Sequence, residues 1–155
     1  MNSQLVSVEK TDYEEYFEDI ESDSIFLLNK ASSLSTWKNA IGMGASYFSL
    51  SIEHWIIKSK AVELGKWQTA YNDDKPFKVS KLLKKKLRWG LDEDVWYFIS
   101  KNVVFQTKWS YFLLHWDDFL AVDDDCPIIM CESRIGEEAL VFKPMGGLSF
   151  IKRRT

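Results

Sequence analysis

Five carboxylates crowd into nine positions near the end of this sequence: Asp117, Asp118, Asp123, Asp124 and Asp125. Acids this close repel one another, so the grouping invites a chemical explanation. Three are open. A divalent cation would be held by several carboxylate oxygens, although the loop lacks the glycine and terminal glutamate of an EF-hand. A basic protein partner would be attracted and oriented by the same charge. The plainest explanation is a solvated turn in which an Asp bonds nearby backbone N–H groups. This solvated turn is favoured, the partner surface comes next and the metal last. Asp117 and Asp118 also fall in the last turn of an expected helix, where negative charge opposes the helix dipole.

A second grouping has catalytic spacing. Asp94 opens one expected strand and Gln106-Thr107-Lys108 closes the next, and the two ends adjoin in an antiparallel hairpin. An acid beside Gln-x-Lys, followed by a helix, resembles the core of the restriction-endonuclease-like superfamily. That resemblance implies a metal-dependent nuclease in which acids hold the metal and Lys108 supports phosphate or water. The sequence departs from the pattern, with no Pro before Asp94 and with Gln106 where Glu is commoner.

Other reactive residues suggest less. His115 can reach Asp118 one helical turn on, whereas Asp117 points elsewhere. His54 stands beside Trp55 without a second ligand, so the two histidines give no zinc spacing. Cys126 and Cys131 are expected as buried thiols on opposite faces of a strand, too poorly placed to bridge each other. Gly42-Met43-Gly44 lacks the third glycine of a dinucleotide loop. No cofactor is implied and no metal is assigned.

The elements that must position these residues follow from periodicity. Val95–Ile99 and Val103–Thr107 read as a hairpin around Ser100-Lys101-Asn102. Trp109, Phe112, Leu113, Trp116 and Leu120 form the best helical stripe in the chain. Pro127 then opens Ile128–Cys131, apolar on both faces as a central strand must be. Leu148–Lys152 reads as a last strand, and Glu137–Lys143 as a helix, with an extended Ala139–Phe142 as its alternative.

Upstream, Gln4–Val8 suggests an edge strand. Thr11 to Glu14 has the pattern of a capping box before Tyr13, Tyr16, Phe17 and Ile20. Ile25–Leu28 is an apolar run that fits either a strand or a helix end. Leu34, Trp37 and Ile41 predict a helix stopped near Gly42. Ile52, Trp55 and Ile56 predict another, and Ala61, Leu64, Trp67 and Tyr71 a further one interrupted by Gly65. Ser80 is placed as the cap of a short helix whose last turn carries Lys84, Lys85, Lys86 and Arg88. From Lys75 to Arg88 there are seven basic residues and no acid, but cations at a helix C-terminus need no ligand to explain them.

The expected architecture is α+β in one domain, residues 1–155. N-terminal helices pack on a mainly antiparallel four-stranded sheet near 95–99, 103–107, 127–131 and 148–152, around a hairpin-helix-strand core. Length suits a single sizeable core. The net charge of −3 gives no whole-chain reason to bind nucleic acid or an anionic membrane. Neither a signal peptide nor a membrane span is legible, which predicts a cytoplasmic protein. Aromatics at 15% are high enough to supply a recognition surface as well as a core.

The strand Val95–Phe98, Trp109 and Trp116 seven apart, Phe119-Leu120 before Val122-Asp123-Asp124, Pro127–Ile129 and the basic end Lys152–Arg154 resemble a small bacterial family, domain of unknown function twenty-nine forty-seven. Trp55 to Trp67 also fits. The resemblance implies an α+β fold and brings no catalytic residues. In general type the chain is also similar to bacterial toxin-immunity proteins, which are small, acidic and Trp-rich. The expected function is therefore non-enzymatic protein binding through Asp117, Asp118, Asp123, Asp124 and Asp125, with a basic toxin domain as partner. The alternatives are the nuclease at Asp94, Gln106 and Lys108, or a structural or oligomerising domain.

Overall fold

A computed structural model of the chain describes residues 5–8, 11–17, 24–122 and 125–153. Asp123, Asp124, Ile20 and Arg154 lie outside the described residues. Along the chain the elements are β1 (Leu5–Ser7), β2 (Ile25–Leu28), α1 (Lys30–Ala40), α2 (Trp55–Lys58), β3 (Ala61–Lys66) and α3 (Gln68–Asn72). There follow α4 (Phe77–Lys86), β4 (Asp94–Ser100), β5 (Val103–Lys108), α5 (Trp109–Val122), β6 (Ile128–Cys131), β7 (Glu138–Phe142) and β8 (Gly147–Lys152).

The strands form one eight-stranded sheet in the order β1-β2-β5-β4-β6-β7-β8-β3, antiparallel at every pairing. The sheet is thus twice as wide as the expected four strands. Three of the four, β5, β4 and β6, lie at its middle, and β7 separates β6 from β8, which stands next to the edge strand β3. β7 corrects the helix expected over Glu137–Lys143, and the extended alternative is the one that forms. Ala139 and Val141 enter one core while Leu140 and Phe142 enter the other, so a period of two, with both faces covered, decides the strand.

Ala61–Tyr71 is a second correction: the expected helix is edge strand β3 followed by α3. A bulge between Glu63 and Gly65 shifts the strand's phase by one residue. The shift explains why Leu64 and Trp67 fall at a spacing that mimics a helix. Gly65 has a φ of 156°, which strains any L side chain, and a Cβ there would sit 2.8 Å from Leu82 Cδ2 and displace that side chain of α4.

Both faces of the sheet are covered. On one face α1, α2 and the 3₁₀ turn Tyr47–Ser49 enclose Leu28, Trp37, Ile56, Phe98, Ile128, Met130 and Val141. On the other, α3, α4, α5 and the 3₁₀ turn Glu14–Phe17 enclose Tyr97, Phe105, Ile129, Leu140 and Phe142. Helices therefore pack on two faces, and α1 to α4, all upstream of β4, form the N-terminal group that the sequence places on the sheet. Asn29 caps α1 by accepting from the Ser32 N–H. Helix α4 starts at Phe77, upstream of Ser80.

All five members of the expected stripe on α5 are buried, together with Phe119. The Phe119 ring meets Phe17 at 5.0 Å, Tyr97 at 5.1 Å, Phe112 at 5.2 Å and Phe105 at 6.1 Å between centroids. These separations suit favourable aromatic pairing. The helix kinks at His115, whose φ and ψ are −129° and 20°. At the kink the Ser80 hydroxyl donates to the Leu113 carbonyl, the side-chain intrusion that commonly bends helices. The buried tryptophans find acceptors too, as when Trp116 donates to the Pro76 carbonyl at 2.9 Å. Cys126 and Cys131 are free and buried, one in each core.

Phe119→Ala should therefore lower the unfolding free energy by about 3–5 kcal/mol in a urea titration. A loss below about 1 kcal/mol would mean that the ring cluster does not hold α5 to the sheet.

Candidate functional site

The hairpin brings Asp94 opposite Lys108 and Trp96 opposite Gln106, which sets Asp94, Gln106 and Lys108 on one side of the sheet. Asp94 Oδ1 lies 2.9 Å from Lys108 Nζ. The hydrogen bond to Asp94 holds the Lys108 ammonium above its usual pKa range. With Phe26, Thr107 and Tyr111 these side chains line a cavity of about 160 Å³. The sequence thus located a real juxtaposition. Its acid content is thin, however: among the described residues no group of three or more His, Cys, Asp or Glu could hold a metal ion.

The acidic end of α5 is divided by the fold. Burial, and next the neighbouring charge of Asp118, push the Asp117 carboxyl above its ordinary range. Asp118 Oδ2 lies 3.2 Å from His115 Nδ1, the pairing one turn back that the spacing suggested. The His115 ring rests on Tyr111 at 4.7 Å. Asp125 is exposed beside Cys126, which has a φ of 59° as the chain turns into β6. Burial pushes the Cys126 thiol up to about 12, so it is not a ready nucleophile.

Leu114, 70% exposed, stands on the solvent side of α5, three and four residues before Asp117 and Asp118. Phe77, 57% exposed, begins α4 directly after Pro76, whose carbonyl receives the Trp116 indole N–H. Two large apolar side chains thus remain in water near the carboxylates. The sequence did not mark them. Leu114 falls between members of the apolar stripe, and Phe77 precedes the helix expected from Ser80.

A third region escaped the sequence reading altogether. Where α1 ends and α2 begins, a cleft of about 840 Å³ opens between Lys38, Ile41, Met43, Trp55, Lys60 and Arg153. His54 forms its inner wall. His54 Nδ1 accepts the Ile56 N–H at 3.1 Å, so Nε2 carries the proton and donates to the Ile41 carbonyl at 2.6 Å. This lone histidine is therefore a helix cap that ties α2 to the end of α1. Its ring stacks on Trp55 at 6.0 Å and 26°. The basic run on α4, in contrast, is a row of exposed lysines in a last turn, as the dipole reading expected.

The family described as protein of unknown function (DUF2947) matches residues 11–150. The chain belongs to this family, the one that its residues from Trp55 onward resemble, and the match extends upstream of them to residue 11. No curated protein matches the chain, and neither does any solved structure. Among the described residues no helix is long and apolar enough to cross a membrane.

The raised pKa of Asp117 fixes the sign of its effect on stability. A carboxyl whose folded pKa exceeds its unfolded one contributes stability that is complete below the unfolded value and lost as pH rises through the folded one. At neutral pH Asp117 thus opposes folding. Asp117→Asn should raise Tm at neutral pH, and the difference should vanish below about pH 3, where both states are protonated. An unchanged or lower Tm at neutral pH would mean that the bonds from the Asp117 and Asp118 backbone N–H groups outweigh burial.

Proposed function

We propose that the chain is a non-enzymatic protein-binding module whose acidic, apolar-studded surface at the end of α5 engages a basic partner, as an immunity protein engages a toxin. The observation that carries this reading is the exposure of Leu114, on the helix that carries Asp117 and Asp118, and of Phe77, next to the Pro76 carbonyl that receives Trp116. Binding energy in interfaces concentrates on a few large side chains, and surrounding charge sets the approach. Leu114 and Phe77 would supply the anchors. Asp118 and Asp125 would steer, joined by Asp123 and Asp124. Asp117, already short of water, would lose little more hydration on contact.

The test uses the protein encoded beside this one as analyte on an immobilised chain. Replacing Asp117, Asp118, Asp123, Asp124 and Asp125 together by Ala should weaken binding by about 100-fold, mainly by slowing association. Raising salt should weaken the unaltered pair in the same way. Binding indifferent to both changes would sink the acidic-face reading.

A second reading keeps one observation in its favour, the cavity shared by Asp94, Gln106 and Lys108. A nuclease there would cleave DNA or RNA only with a divalent metal and would lose that activity in Lys108→Ala. No cleavage of either nucleic acid with magnesium or manganese removes this reading.

A further inference from the structure

The cleft at the end of α1 has a charge opposite to that of the whole chain. Lys38, Lys58, Lys60 and Arg153 line it against a single carboxylate, Glu53, in a chain of net charge −3. Glu53 pairs with Lys58 at 3.8 Å. Lys38, Lys60 and Arg153 make no ion pair among the described residues, and all three are exposed.

Helix ends account for only part of this. Lys38 and Lys58 sit in last turns, where cations are favoured. Lys60 and Arg153 lie outside helices, just before β3 and just after β8, and the antiparallel pairing of those strands sets them at one end of the sheet. Three carbonyls around the end of α1 already accept hydrogen bonds. Ile41 accepts from His54 Nε2, Met43 from the Trp37 indole at 3.1 Å, and Trp37 from the N–H groups of Ile41 and Gly42. The result is a cationic cleft with an aromatic ring in its wall. Grooves that hold nucleotides on a protein surface combine these same two features, cations for phosphate and a ring for the base.

We propose that this cleft binds a phosphate-bearing ligand with a planar base, either a mononucleotide or a short single strand. Lys58, Lys60 and Arg153 take the phosphates and Trp55 takes the base. The proposal is independent of the acidic surface on α5, which belongs to the opposite face of the sheet.

The experiment is fluorescence anisotropy of a fluorescein-labelled ten-nucleotide oligo(dT) at low salt, with AMP, inorganic phosphate and unlabelled oligo(dT) as competitors. Saturable binding is expected. The Lys58→Glu, Lys60→Glu double variant should weaken it by about 10-fold or more and flatten its salt dependence. Trp55→Leu should weaken it by about 5- to 100-fold, and Trp55→Phe should restore part of the loss. Thermal melts of each variant separate lost binding from lost folding.

Displacement by AMP would assign the cleft to mononucleotides, and displacement by oligo(dT) alone would assign it to a strand. The proposal is overturned if neither ligand binds or if Lys58→Glu, Lys60→Glu binds normally. It also falls if Trp55→Leu binds normally, if inorganic phosphate displaces the probe as well as AMP does, or if Lys84→Glu, Lys85→Glu on α4 abolishes binding instead.

Discussion

Strands β6 and β7 are apolar on both faces, and that double exposure to the hydrophobic effect is what the rest of the structure answers to. A strand such as Ile128-Ile129-Met130-Cys131 is stable only if two layers keep water from it. Helix α5 supplies one layer, with Phe119 wedged among Tyr97, Phe105 and Phe112. Helices α1 and α2 supply the other, with Trp37 against Phe98 at 5.9 Å. The six-residue β3 and three-residue β1 close the two edges. β3 exposes Val62 and Glu63 but carries a bulge, a feature that discourages pairing with another chain.

Filling both faces leaves little room for chemistry inside. The only buried polar or charged residues among those described are Ser33, His54, Thr107 and Ser149. Each is spoken for: Ser33 donates to the Leu28 carbonyl, Thr107 to the Ser24 carbonyl at 2.6 Å, and Ser149 to Glu63 Oε1 at 2.8 Å. His54 is held at both ring nitrogens. Polar groups that could meet a ligand are pushed to the rims of the sheet, at the open end of the β4–β5 hairpin, the far end of α5 and the junction of α1 with α2. The character of each rim is set by the few charges gathered there.

Those charges are not mixed evenly. The carboxylates at the end of α5 and the cations around Trp55 belong to opposite faces of the sheet, so a modest net charge conceals a separation of the two signs. Screening over about 8 Å in physiological salt keeps them largely separate. Average composition gave no whole-chain reason to bind nucleic acid or an anionic membrane. It was a sound statement about the whole molecule and silent about one cleft.

The middle of the sheet was legible in the sequence because its signals are local. β-Branched and aromatic residues in Val95–Ile99 and Val103–Thr107, a stripe from Trp109 to Leu120 and an unbroken apolar run after Pro127 each fix an element from neighbouring residues alone. The meeting of Asp94 with Lys108 and the pairing of His115 with Asp118 were legible for the same reason, since a hairpin and a helical turn bring near neighbours together. Glu137–Lys143 and Ala61–Tyr71 were not. Whether Ala139–Phe142 is helix or strand depends on having β6 and β8 beside it, and the bulge at Gly65 erased the period that would have marked an edge strand. The cleft at Trp55 had no local signature at all. Its cations come from α1, α2, the approach to β3 and the exit of β8, and only the pairing of β3 with β8 and the His54 tie to Ile41 assemble them. Short-range geometry was written in the residues themselves, whereas the juxtaposition of distant segments was decided by how two helical layers close on one sheet.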